Sequence, residues 1–265
     1  MINKKKATIL VIVLVVAAVA AITIMFKGQA AGQGVQAQPA QPAAPAQNPE
    51  PRPQPAIVGQ PMADFTLPVY QGGTLTLSSL RGQNVLILFP RGYAAENYWC
   101  TICNYYYAEL VELEKAKAFR KGYNLEVLIV LPYARETVKA WVDDMPAQLE
   151  KLHGWKFPAE PDKLDERGKA RMERMRTALP LDVLFKKGEV PTPFPILIDA
   201  DRAVTGSLGI FTMEWGGSKI AQNIPTVMLV DAEGTLRFKY MGQNTWDRPG
   251  YDYLFKQMDG LGWRK

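Results

Sequence analysis

Cysteine and histidine are scarce in this chain: two cysteines, Cys100 and Cys103, and one histidine, His153, among 265 residues. A disulfide framework that stabilises a small secreted scaffold needs several cysteines far apart, because each bridge acts mainly by closing a long loop of the unfolded chain. A bridge across two intervening residues closes almost no loop, so the pair reads as chemical rather than structural. A structural zinc normally takes four Cys or His ligands, more than the chain possesses, and no metal is expected. His153 stands before Gly154 at the end of a predicted helix, where a surface residue or a helix C-terminal cation explains it. Basic tracts are equally few. Of the formal net charge of +5, three units are the consecutive Lys4, Lys5 and Lys6. No later Lys/Arg run is interleaved with aromatics, which argues against nucleic acid as a partner.

After those lysines comes an apolar run from 7 to 26 whose only polar members are Thr8 and Thr23. About 20 residues make a helix of roughly 30 Å, the hydrocarbon thickness of a bilayer. Segment 1–27 is therefore expected to be a single transmembrane anchor. Positive charge is retained on the cytoplasmic side, so everything after Lys27 is expected on the extracytoplasmic, periplasmic side of the cell membrane. A cleaved secretory signal is the alternative, with small residues at Gly28, Ala30 and Ala31, but the run exceeds the usual signal core. No cysteine directly follows the run, which excludes a lipid-modified cysteine anchor. Segment 28–56, rich in Pro, Ala and Gln, buries nothing and reads as an extended tether. The folded domain then occupies 57–265.

Within the domain, short extended pieces at 64–67 and 74–77 flank Gly72-Gly73 and predict a hairpin. Segments 84–89 and 125–131 are continuous apolar runs of strand length, as strands covered on both faces require. Further strands are expected at 194–198, 226–230 and 235–240, with helices over 100–120, 136–152 and 249–258. Strands alternating with helices give an α/β fold with a mixed central sheet, and its last two strands form a hairpin. The charged stretch at 156–193 interrupts this order as an insertion carrying a solvated surface helix.

Cys100-Thr101-Ile102-Cys103 falls at the predicted start of the first long helix, after a loop spanning 90–99. A helix N-terminus offers unpaired N–H groups and partial positive charge, both of which favour thiolate over thiol. On that reasoning Cys100 is the nucleophile and Cys103, one turn on, the resolving thiol that releases a mixed disulfide. Helical spacing makes Tyr106 the core candidate of the neighbouring tyrosines, while Tyr98 and Trp99 precede the helix and suit a substrate groove. Asp247-Arg248-Pro249 reads as a helix start without a catalytic role.

Several stretches resemble the redoxin, or AhpC/TSA-like, branch of the thioredoxin superfamily. Val58-Gly59-Gln60-Pro61, Asp64-Phe65 and Leu77-Ser78-Ser79-Leu80-Arg81-Gly82 are similar to the family's opening. Trp99-Cys100 with Cys103 is similar to its active-site motif. Asn223-Ile224-Pro225-Thr226, followed by Leu229-Val230-Asp231-Ala232-Glu233-Gly234, is similar to the stretch holding its cis-proline. The resemblance implies a thioredoxin-like fold and a cis Ile224-Pro225 bond beside the dithiol. It also implies substrate contacts by Trp99, Ile224, Pro225 and Thr226, with the Ile224 backbone pairing an extended substrate.

The activity implied is thiol-disulfide exchange on protein thiols and disulfides, through a redox-active Cys100-Cys103 disulfide and no other cofactor, with a membrane or extracytoplasmic redox partner. Thiol peroxidase activity is the alternative. The peroxidase motif places Pro and Thr or Ser seven and three residues before its reactive cysteine, and counted from Cys100 those positions hold Tyr93 and Asn97. Pro90 lies further upstream, and Arg91 stands as a substitute activating cation. Copper delivery suits soft thiolates, but 206–225 lacks the histidine that copper-carrying relatives use. A non-catalytic scaffold is the remaining reading.

The topology has a direct test. Protease added to intact spheroplasts should degrade the domain and leave a membrane-embedded N-terminal fragment, whereas full protection would overturn the extracytoplasmic assignment.

Overall fold

The computed structural model describes residues 56–265, so the expected anchor and most of the expected tether lie outside the described residues. Among the described residues no helix is long and apolar enough to cross a membrane.

Five strands form the central sheet: β3 (Asn84–Phe89), β6 (Leu125–Leu131), β7 (Ile196–Ile198), β10 (Thr226–Val230) and β11 (Leu236–Met241). Their order is β11-β10-β3-β6-β7, with β3, β6 and β7 parallel and β10 antiparallel to both β3 and β11. Side chains alternate across a strand. Thus Leu86, Val127, Ile129, Val227 and Leu229 enter one buried layer, while Val85, Ile87, Phe89, Leu128, Val130, Met228 and Val230 enter the other. Both faces are covered, which is why these strands read as unbroken apolar runs.

The first layer is closed by α1 (Thr101–Lys117), α3 (Arg135–Lys156) and α6 (Tyr251–Gly260); a short α2 (Phe119–Tyr123) follows α1. The second is closed by the N-terminal hairpin β1 (Thr66–Pro68) and β2 (Thr74–Thr76), with α5 (Ala203–Ser207). The expected hairpin, central strands and long helices are therefore present, and the fold is thioredoxin-like with a mixed sheet.

The insertion contains the expected surface helix, α4 (Glu166–Ala178). It also lengthens α3 beyond the predicted end at 152. The buried Lys156 ammonium donates to the Leu181 carbonyl at 2.6 Å, and Arg176 Nε donates to the Lys156 carbonyl at 2.8 Å. Those bonds satisfy groups that a free helix end would leave to water.

Two expectations for the segments around the dithiol require correction. The predicted loop 90–99 contains a small hairpin, β4 (Tyr93–Ala95) paired with β5 (Tyr98–Trp99). Tyr106 is only half-buried, whereas Tyr105 and Tyr107 are 1% and 2% exposed. α1 is covered on two sides rather than one: Tyr107 meets Trp141 of α3 and donates to the Pro191 carbonyl, and the Leu181 N–H donates to Tyr105 Oη. Insertion and sheet together bury two faces of the helix, which a single amphipathic stripe does not anticipate.

Candidate active site

After β3 the chain passes through Pro90, Arg91 and Gly92 to the β4–β5 hairpin and then to α1. Gly92 has φ +76°, and a Cβ there would lie 2.2 Å from Tyr133 Oη. That hydroxyl accepts from the Tyr93 N–H at 2.9 Å and donates to the Ala221 carbonyl, so only glycine fits the approach. The Gly92 carbonyl in turn accepts from the Cys100 N–H at 2.9 Å.

Cys100 is the N-cap of α1, and its sulfur accepts from the Cys103 N–H at 3.4 Å, the part usually taken by a Ser or Asp oxygen. Cys103 lies within the first turn. Its sulfur accepts from two donors, the Arg91 N–H at 3.4 Å and Arg248 Nη2 at 3.5 Å. Both thiols are free and buried. Of the two, Cys103 lines a cavity of about 40 Å³, with Phe89, Tyr106, Pro225, Thr226, Val227 and Arg248 among its walls. That volume holds one or two water-sized groups.

These contacts place the negative charge on Cys103. Burial pushes its thiol up, but the Cys100 hydrogen bond, the Arg248 charge and the Arg91 N–H outweigh burial and pull it down to about 5. Cys100 moves the other way, raised by donating its hydrogen to Cys103 and then by burial. The two thiols titrate as a pair, and the donors at Cys103 favour leaving the shared proton on Cys100. These contacts favour the thiolate on Cys103, the opposite of the sequence-based expectation for Cys100. Both positions feel the helix N-terminus, and what separates them is the tertiary pair of donors that reaches Cys103.

Arg248 is the functional residue that sequence reasoning misses, since Asp247-Arg248-Pro249 has the pattern of a helix start. The helix does begin beyond it, with Gly250 as N-cap of α6, but the arginine turns back to the dithiol. Its Nη1 donates to the Asp247 carbonyl at 2.8 Å, and Asp247 is held by Tyr240 Oη and by the Gln243 N–H. Arg91, expected as the substitute cation, does not hydrogen-bond a sulfur through its side chain. Its guanidinium donates instead to Gln222 Oε1 at 2.7 Å and to the Trp215 carbonyl at 3.1 Å, and lies 5.2 Å from the centre of the Trp215 ring. Its backbone N–H donates to Cys103, and its charge also interacts with both thiols.

The other expected site residues divide. Pro225 and Thr226 line the cavity beside Cys103. Trp99 is buried, its ring stacked on Tyr93 at 3.8 Å, and it supports the hairpin. Ile224 is occupied on both backbone sides: its N–H donates to the Ile210 carbonyl and its carbonyl accepts from Thr226 Oγ1, each at 2.8 Å. The Ile224-Pro225 bond is trans, which corrects the expected cis bond. Gln222–Asn223 is already paired as strand β9 with β8 (Phe211–Thr212), and the Ile224 N–H continues that pairing, so the chain enters β10 without a reversal.

Replacing Arg248 should move the proton balance. With Cys100→Ser as background, the pH midpoint for alkylation of Cys103 should still lie below that of an ordinary thiol, because Arg248 and the Arg91 N–H remain. It should rise by roughly one to two pH units in Arg248→Leu, the worth of one charge-assisted hydrogen bond. Arg248→Lys should recover part of the shift. An unchanged midpoint in both variants would remove Arg248 from the site.

Solved structures with a similar fold include peroxiredoxin 6 of Arenicola marina, in a cysteine-to-serine mutant form, at 12% identity and TM-score 0.50, covering 78% of this chain and 73% of that one. The mitochondrial 2-Cys peroxiredoxin of Plasmodium falciparum matches at 14% identity and TM-score 0.48, covering 77% of this chain and 94% of that one. No match is found among curated proteins. The AhpC/TSA family profile matches residues 58–239, which contain both cysteines and nearly all of the central sheet. This chain belongs to the AhpC/TSA family, a family of redoxin-type thiol oxidoreductases.

Proposed function

We propose that this protein is a membrane-tethered, extracytoplasmic thiol peroxidase, in which Cys103 attacks a hydroperoxide and Cys100 resolves the product. The observation that carries this reading is that the thiolate-favouring donors and the small cavity both belong to Cys103. A pocket of about 40 Å³ suits a hydroperoxide group better than an extended protein segment. The Ile224 backbone, expected to pair such a segment, is already engaged within the chain. Peroxide reduction therefore ranks above thiol-disulfide exchange as the first step, and exchange becomes the recycling step.

The Cys103 thiolate attacks the nearer peroxide oxygen, the O–O bond breaks, and the leaving alkoxide takes a proton to give an alcohol, or water from hydrogen peroxide. Arg248 faces the charge that develops there. The Cys100 thiol then condenses with the Cys103 sulfenic acid, forming the disulfide and releasing water. Two external thiols restore the dithiol and leave as a disulfide. Counted from Cys103, the motif's Pro and Thr or Ser positions hold Glu96 and Cys100, so the proposed site departs from the peroxidase motif at both. The side chain that donates to the reactive sulfur and the one that resolves it are then the same.

A sulfenic-acid trap separates the roles. With hydrogen peroxide and dimedone, Cys100→Ser should accumulate the adduct on Cys103, Cys103→Ser should give none, and the native protein should instead form the intramolecular disulfide. Peroxide-inert Cys103 alongside rapid reduction of a protein disulfide would return the exchange reading to first place.

A further inference from the structure

Three exposed cations lie on aromatic rings in a track beside the dithiol. Lys151 Nζ is 4.1 Å from the centre of the Tyr98 ring and 5.5 Å from that of Trp155. On α4, Arg171 stacks on Trp155 at 4.7 Å, and Arg174, one turn later, stacks on Trp246 at 4.4 Å. Tyr98 stands two residues before Cys100, and Trp246 two residues before Arg248, so the track flanks the dithiol from its hairpin to its arginine loop. Among the described residues none of these three cations has a carboxylate within ion-pairing distance; the ion pairs on α4 use Lys169 and Arg176 instead. The nearest acidic neighbours in sequence, Glu150 and Glu173, leave an excess of positive charge, since α4 carries five cations against two carboxylates. Stacking holds each cation in place while its N–H donors stay available, which reduces the ordering cost of a partner's docking.

We propose that this track is the docking surface for an acidic protein dithiol, the reductant that reduces the Cys100-Cys103 disulfide back to the dithiol. The inference rests on the peroxidase reading, which requires such a reductant. One partner thiolate attacks the disulfide to form a mixed disulfide and frees one cysteine. The partner's second thiol then displaces the other, so the partner leaves oxidised with both its thiol protons transferred. An acidic protein suits the track better than a lipid headgroup layer because the ring faces are already covered by cations and present no apolar wedge to a bilayer.

The test uses full-length protein in phosphatidylcholine vesicles, its disulfide formed with diamide so that the result does not depend on peroxide reactivity. The reductants are two synthetic peptides, Glu-Glu-Cys-Glu-Glu and Lys-Lys-Cys-Lys-Lys. The acidic peptide should reduce the disulfide about ten times faster at low ionic strength. The preference should vanish in 1 M salt, where the screening length is about 3 Å. It should also be lost in Lys151→Gln/Arg171→Gln/Arg174→Gln and inverted in Lys151→Glu/Arg171→Glu/Arg174→Glu. Equal rates in the native protein, or a preference that survives both variants, would overturn the proposal. So would protection of Lys151 from acetylation by phosphatidylserine vesicles without any peptide preference, which assigns the track to lipid. Failure of diamide to form the disulfide would instead count against the functional reading.

Discussion

The sulfur of Cys103 meets two donors from distant parts of the chain, the Arg91 N–H from 12 residues before and the Arg248 guanidinium from 145 residues after. An isolated thiolate is costly in a buried setting, and a buried thiol left alone stays protonated. The contact with Arg248 reverses that preference, and each group sustains the other: the Cys103 anion raises the Arg248 pKa against the burial that lowers it. Much of the site can be understood as what holds these donors in place. The β10–β11 pair brings the chain back beside β3, Tyr240 on β11 fastens Asp247, and Arg248 is thereby presented to the first turn of α1.

Arg91 shows how a second buried cation is kept from competing for the same sulfur. Burial lowers its pKa, yet its guanidinium is satisfied by Gln222, Trp215 and Ser218 and by the face of the Trp215 ring. The side chain fastens the 215–222 segment while the backbone N–H is left for Cys103. The two arginines thus differ in their contacts: Arg248 hydrogen-bonds the sulfur with its guanidinium, while Arg91 sets the path of the loop that carries a backbone donor. Cys100, the N-cap of the same helix and the other half of the coupled pair, completes the arrangement.

The parts of this architecture legible in the sequence are those with a local signature. Strands 84–89, 125–131 and 226–230 are buried on both faces and therefore print unbroken apolar runs, and the CxxC before a helix announces its chemistry by spacing alone. Arg248 carries no such mark, because its role arises from a contact 145 residues away and its neighbourhood satisfies the pattern of a helix start. The choice between the two cysteines is illegible for the same reason: both share one helix N-terminus, and only tertiary donors distinguish them. The cis-proline expectation fails on local pairing, since β9 and the Ile224 N–H already direct the chain into β10.

The central claim, that Cys103 rather than Cys100 holds the negative charge, is open to a single direct measurement. Fully reduced native protein is treated at about pH 6 with less than one equivalent of iodoacetamide, digested, and mapped by mass spectrometry. The account predicts that the label falls on Cys103, since a thiol with a pKa of about 5 is ionised at that pH while its raised neighbour is not. Label found mainly on Cys100 would contradict it.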